Sequence, residues 1–327
     1  MTEADDDTFD VLVVGGGISG GMPAAAYLQK AGCRVAVIER DASGAPFSSS
    51  YEAAPGVRFD VTPVNFSIVS PAIADLELGR FGYRVRPPEV LFSTLDGTGR
   101  HVTLYTDAAR TFRELARYSA KDAQRFQALL YGLKGAAREI LSTAFFSAAP
   151  DLAGATRLTA TAAGLEPERL TQMSAIDLVT AMFESDAARL ALTALPAINL
   201  FGDLALPGQG ALAWLWTFLM RTCSVPADGV TLAQAVERAF LHHGGTVLKG
   251  ATVRRFLRAA DGSCRGVEVD MRGEHITLRA RRAVISDLGA GLTGELLGEP
   301  LRPGWRSAGR AVFTADAVLD RPLRWAQ

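Results

Sequence analysis

An α/β fold, in which a parallel sheet is joined to a long helical stretch, is what this sequence predicts. Three observations predict it. A strand, a glycine turn, a helix and a second strand fill Asp10 to Asp41, "DVLVVGGGISGGMPAAAYLQKAGCRVAVIERD". Residues 107 to about 222 read as amphipathic or buried helices. Residues 246 to 286 then alternate with a period of two, as strands do.

The elements follow in order. "MTEADDDTFD" is acidic, which is wrong for a secretory leader. "DVLVV" is a short apolar run bounded by Asp10 and glycines, the mark of a strand buried on both faces. Val11 to Leu28 carries no charge, but its glycines and Pro23 fit a strand, turn and helix better than a membrane span. "PAAAYLQKAG" is helical and stops at Gly32, and "RVAVIE" is a second buried strand. Strand, helix and strand within about thirty residues make a right-handed crossover unit.

Residues 42–65 are turn-rich and lack a period, and "SPAIADLELGRFG" starts as a helix at Ser-Pro and ends at Gly82. "DAARTFRELARYSAKDAQRFQALLYGLKGAAREIL" opens the long helical part. "ALAWLWTFLM" is too short to span a bilayer, so it reads as a buried helix or a cavity wall. "DGVTLAQAVERAFLHHGG" is a helix with a glycine stop. The strands after it turn at Asp-Gly and Arg-Gly and end in the apolar "AVIS".

Composition excludes several functions. With 34 basic and 35 acidic residues among 327, no net field draws nucleic acid or an anionic membrane. Cys33, Cys223 and Cys264 are odd in number and lie far apart. That argues against a disulfide framework or a zinc site, and reduced thiols in a cytoplasm are the simplest account. His242 and His243 lack ligand spacing and read as a solvated helix end. No metal site and no transmembrane segment is expected.

The glycines carry the chemistry. Gly15, Gly17 and Gly20 form G-x-G-x-x-G directly after a strand and at a helix start, and Glu39 ends the next strand nineteen residues later. Gly15 permits the tight turn, Gly17 lets backbone approach a pyrophosphate, and Gly20 lets helix and strand pack closely. The helix end offers unpaired amides and partial positive charge to the anion. Glu39 is placed to accept from a ribose hydroxyl and disfavours a 2′-phosphate. In this context the pattern is a strong Rossmann-type signal. Alone, it does not choose between FAD and NAD.

The chain resembles the FAD-dependent phytoene desaturase-like oxidoreductases, in particular the branch of pyridine nucleotide-disulfide oxidoreductase domain-containing protein 2. The stretches that carry the likeness include "DVLVVGGGISG", "VAVIERD", "APGVRFD", "SPAIADLELGRFGY", "VTLAQAVERAFLHHGGTVLKGATVRRFL" and "LDRPLRW". The resemblance implies a discontinuous FAD-binding domain, 1–80 and 225–290. A largely helical substrate or cap domain, 81–224 and 291–327, would be inserted into it. It implies a cofactor-binding set of Gly15, Gly17, Ile18, Ser19, Gly20, Glu39, Arg40, Gly44 and Val253. Val253 would meet adenine through backbone atoms; read without the likeness, it is equally an ordinary core strand residue.

Departures from the family pattern matter. "GMP", residues 21–23, stands where the family has two residues. Either a one-residue helix bulge or a longer turn would absorb the insertion. "ERDASGAPFSSS" keeps Gly44 but not the family's glycine pair, with Ala45 or Pro46 in place of one glycine, and "PADG" keeps only Gly229. Added bulk there would weaken or reshape flavin binding. The family also continues well over a hundred residues past "LDRPLRW". The expectation is a natural split, a second polypeptide supplying the remainder, with a truncated chain as the alternative.

The leading expectation is a cytoplasmic FAD-dependent oxidoreductase that moves a hydride between an apolar or amine-bearing organic substrate and flavin. Trp214, Trp216, Phe218, Phe145 and Phe146 would line an apolar pocket or simply fill the core. No catalytic acid or base is identifiable. The rival is a non-catalytic or cofactor-poor subunit that stabilises a partner flavoprotein.

Overall fold

Alternation decides the centre of the molecule. In β1 (Thr8–Val14) Val11 and Val13 join one buried cluster while Leu12 and Val14 join another, because successive side chains of a strand point to opposite faces. Both faces are therefore covered. Each fully buried Val or Leu contributes about 1.5–3 kcal/mol. The structure is a computed structural model. It describes residues 7–18, 20–42, 50–60, 70–95, 99, 101–197, 204–219, 225–226 and 230–299.

After β1 come α1 (Gly21–Lys30), β2 (Val35–Glu39), β3 (Ser50–Ala54), β4 (Val57–Asp60) and α2 (Ala72–Asp75). β5 (Val85–Arg86), β6 (Val90–Leu95) and β7 (His101–Tyr105) precede the helices α3 (Ala108–Ala116), α4 (Ala120–Ala144), α5 (Leu152–Ala162) and α6 (Pro167–Gln172). Then follow α7 (Ala175–Met182), α8 (Asp186–Ala197), α9 (Gln209–Leu219), β8 (Val225–Pro226) and α10 (Leu232–His242). The chain ends its described part with β9 (Thr246–Lys249), β10 (Ala251–Arg258), β11 (Cys264–Met271), β12 (Glu274–Ser286) and α11 (Ala290–Leu297).

The six-stranded sheet runs β10-β11-β12-β1-β2-β9. β12, β1, β2 and β9 are parallel neighbours, and β10 and β11 are antiparallel. Strands more than two hundred residues apart in sequence thus lie side by side at the centre. α1 and α10 cover one face through Met22, Ala25, Ala26, Val236 and Phe240. The meander covers the other through Phe256, Val267, Val269 and Leu278. This is the α/β, Rossmann-type arrangement the crossover unit predicts.

The helices between β7 and β8 build a separate cluster around Phe126, Leu133, Phe183, Trp214 and Phe218. Local signals set their ends. Asp107, Ser119 and Asp151 cap α3, α4 and α5 by accepting first-turn amides, and Ser174 and Thr231 form capping boxes on α7 and α10. Asp122 is fully buried, yet its oxygens accept from the Glu184 and Ser185 amides at 2.8 and 2.9 Å, just ahead of α8.

Two expectations change. Part of the stretch read as unpatterned, 42–65, forms the hairpin β3–β4. Pro55-Gly56 makes its turn, with Gly56 at φ 76, the conformation a Pro-Gly turn asks of its glycine. The single helix expected over 70–82 breaks into α2 and a 3₁₀ turn, Leu78–Phe81, at Glu77, whose φ is 50. Leu76 and Leu78 explain the break. Both are buried in the same cluster, whereas residues two apart on a continuous helix face opposite ways.

Candidate functional site

The turn after β1 is built for close backbone contact. Gly15 has φ 95, and its amide donates to the Ile38 carbonyl at 2.9 Å. A side chain there would be strained. A methyl group on Gly20 would lie 2.5 Å from Asp287 Oδ1, and one on Gly21 would lie 2.0 Å from the Gly15 carbonyl oxygen. The close backbone approach that the spacing assigns to Gly20 falls at Gly21, which the spacing alone does not single out; the neighbour of Gly20 is the end of the Asp287 side chain.

Glu39 closes the other side. It is buried at 8% exposure, and Oε2 accepts from the Gly16 amide at 2.9 Å. Oε1 accepts from the Asp41 amide at 2.8 Å. The carboxylate therefore ties the end of β2 to the glycine turn. Both stand on the wall of a cavity of about 330 Å³, with Gly17 and Arg40 on the same wall. Thr252 and Val253 of β10 form its far side, and Asp287, Leu288 and Leu292 its third. That volume falls in the ordinary range for small-molecule sites, about 300–1,000 Å³.

The helix end beside this space has donors to spare. Among the described residues, no protein acceptor takes the amides of Gly17, Ile18, Gly20 and Gly21. The Met22 amide reaches back five residues to the Gly17 carbonyl at 3.0 Å, and the regular ladder begins with Ala24 on Gly20. The extra residue of "GMP" is thus taken up by one wide turn at the very start of α1, ahead of the regular ladder. Pro23 is the third helical residue, where a missing N–H breaks no ladder bond.

The profile described as "FAD dependent oxidoreductase" matches residues 10–195, more than half of the 327. The chain belongs to the FAD-dependent oxidoreductase family. FAD is accordingly its cofactor, which the glycine pattern alone leaves undecided. Pyridine nucleotide-disulfide oxidoreductase domain-containing protein 2 of Mus musculus is 34% identical over 126 residues, 36% of this chain and 22% of that protein. A limonene dehydrogenase subunit of Castellaniella defragrans is 33% identical over 141 residues, 42% of this chain and 25% of that one. The chain thus spans about a quarter or less of these curated relatives. An oxidoreductase of Methanosarcina mazei superposes with a TM-score of 0.56 at 17% identity, covering 89% of this chain and 61% of the other. A putrescine oxidase superposes at 0.54 with 18% identity, covering 85% and 57%. At such identities the solved structures speak for the fold.

The residues present fit FAD's nucleotide half. A turn in which a Cβ is strained at Gly15 and blocked by backbone at Gly21, unclaimed amides at a helix end and a buried carboxylate suit a diphosphate and a ribose. Of the sequence-derived set, Gly15, Gly17, Glu39, Arg40 and Val253 line one cavity. Gly20 caps α1 beside it, and the Ile18 side chain packs with the α1 cluster. Ser19 and Gly44 lie outside the described residues, as do Gly229, Cys223 and 300–327. The sequence reading missed Gly16, Gly21, Thr252 and Asp287. A second adjacent glycine at 20–21 and an acid directly after the apolar "AVIS" are the signals that mark two of them.

Other features sort away from this cavity. Trp214 and Phe218 are core, and Trp214 Nε1 donates to the Leu192 carbonyl at 2.8 Å. Phe145 and Phe146 are each 45% exposed, and Phe145 lies edge-on to Trp216. A larger hollow of about 480 Å³ lies among α4, α5 and α7, with Arg125 and Arg169 at its rim; none of these aromatics lines it. His242 and His243 are exposed at the end of α10. No described helix is long and apolar enough to cross a membrane.

Proposed function

We propose that this chain supplies the nucleotide-holding part of a flavoenzyme that moves a hydride between an apolar or amine-bearing organic substrate and FAD. The single observation that carries the proposal is the shared cavity: Gly15, Gly17, Glu39, Arg40 and Val253, drawn from three separate stretches, line one space. When bound, FAD supplies the hydride-accepting ring. The chain's own groups hold the cofactor in place. The α1 amides and helix end take the diphosphate. Glu39 accepts from the ribose while it keeps the turn closed, and the backbone at Val253 borders the adenine. Leu288 and Leu292 keep water from that end.

The domain division proposed is 1–80 with 225–290 for FAD, and 81–224 with 291–327 for the substrate. The helical cluster, which draws only on residues 92–219, supports the inserted part, whereas Tyr83 and, from α11, Leu296 and Leu297 pack with the clusters of the six-stranded sheet on the FAD side. The name of the limonene dehydrogenase relative supports an apolar, phytoene desaturase-like substrate and, because that relative is one subunit of its enzyme, a multi-subunit assembly. A second polypeptide that completes the flavin site is part of the proposal. One observation favours a second reading, a subunit that only stabilises a partner flavoprotein. Both Glu39 oxygens are already engaged by backbone amides in the free chain.

Anaerobic mixing separates the two. The chain, alone and with any protein that co-purifies, is loaded with FAD and offered limonene or putrescine. Bleaching of the flavin absorption by either supports the enzyme. A loaded complex that no hydride donor of either class reduces contradicts it and favours the second reading.

A further inference from the structure

Asp287 brings a negative charge to a place prepared for another. It directly follows β12, and its amide donates to the Val14 carbonyl at 2.9 Å, which fixes it beside the glycine turn. The distances from Gly20 and Gly21 put both its oxygens against the first turn of α1: 2.5 Å from a methyl on Gly20, and 3.1 Å from one on Gly21. The residue also lines the cavity of about 330 Å³. Among the described residues, neither of its oxygens accepts a hydrogen bond or meets a cation. The cation on the cavity wall is Arg40, at the end of β2.

A carboxylate and a diphosphate make the same demand here. Both gain from the partial positive charge at the start of α1, and like charges brought within a few ångströms of one another are driven apart. Glu39 differs, because two amides already neutralise its oxygens. Asp287 has no such compensation.

We propose that the Asp287 carboxylate is a charge gate on cofactor binding: it occupies the helix end in the free chain and opposes the diphosphate of FAD. This rests on the reading that the cavity takes the ADP half of FAD. Asparagine has the shape of aspartate without its charge, so Asp287→Asn removes the opposition and leaves the packing intact. Adenosine carries no phosphate and does not feel the gate.

The experiment is calorimetric titration of the wild-type chain, Asp287→Asn and Asp287→Ala with FAD, ADP and adenosine, after circular dichroism has shown each protein folded. Both variants are expected to bind FAD and ADP at least about tenfold more tightly than wild type, with adenosine unchanged. The alanine variant carries the test should asparagine unfold the chain. Equal or weaker binding of FAD and ADP by the variants overturns the gate and leaves the FAD reading standing. An equal gain for adenosine also overturns it, since charge is then not the cause. No binding of FAD or ADP by any of the folded proteins overturns the gate and the FAD reading together.

Discussion

Glu39 and the glycines around it concentrate the risk in a few atoms. Replacing Glu39 with Ala removes an acceptor shared by the turn and the ribose. FAD binding is expected to weaken about 10–100-fold, at about 1.5–3 kcal/mol for hydrogen bonds to a charged group. The free chain is expected to lose about 1–3 kcal/mol as the buried Gly16 amide goes unpaired, read as a shift of the denaturation midpoint. Gly21→Ala forces a methyl to within 2.0 Å of the Gly15 oxygen and is expected to cost about 3 kcal/mol or more, the upper end for overpacking. Gly32→Ala is the control. Its φ is 90, but no atom lies within 4 Å of the added carbon, so only the backbone conformation is penalised, by about 1–2 kcal/mol. Equal losses at the two glycines would contradict the close approach at Gly21.

Elements were legible where one period held for long enough. β1, α1, β2, α10 and the β10–β12 meander follow from alternation, glycine stops and caps that can be read directly. The hairpin β6–β7 carries a weaker signal, since Val102, Thr103 and Leu104 of β7 are buried in succession and no period of two shows. The break at Glu77 depends on two leucines sharing one core, and that is tertiary information. On the outer strands, Arg255 pairs with Glu268 and Arg254 with Asp270 across β10 and β11. The arginine hydrogen bonds hold both carboxyls below their ordinary range. Groups depressed in this way add stability above the unfolded carboxylate value, near pH 4, and that stability is lost as pH falls through the lower folded values. Melting curves are expected to shift downward with acid over that range. Glu268→Gln with Asp270→Asn should flatten the shift; an unchanged slope would show the pairs irrelevant. Trp214→Ala, at a side chain with no exposure, is expected to cost the helical cluster about 3–5 kcal/mol in urea unfolding.

At the scale of the whole molecule, the topology was harder to read than the pieces. Period and turn chemistry reveal that strands return after the helices. They do not reveal that β12 pairs beside β1 and carries Asp287 to the glycine turn, because a parallel neighbour is set by packing rather than by adjacent sequence. The cavity exists only through that pairing. Its diphosphate half was legible from the glycines, Glu39 and their spacing. Its third wall, Asp287, Leu288 and Leu292, was not. The proposal of a second polypeptide also belongs here, and size-exclusion chromatography tests it: a stable, FAD-loaded monomer that turns over unaided would exclude the partner. Equilibrium dialysis of wild type and Glu39→Ala against excess FAD tests the central claim most directly, with the bound nucleotide released and identified. One FAD per wild-type chain, displaced by ADP and much reduced in the variant, is the expected result. A folded chain that takes up no FAD, or takes it up equally with and without the Glu39 carboxylate, contradicts it.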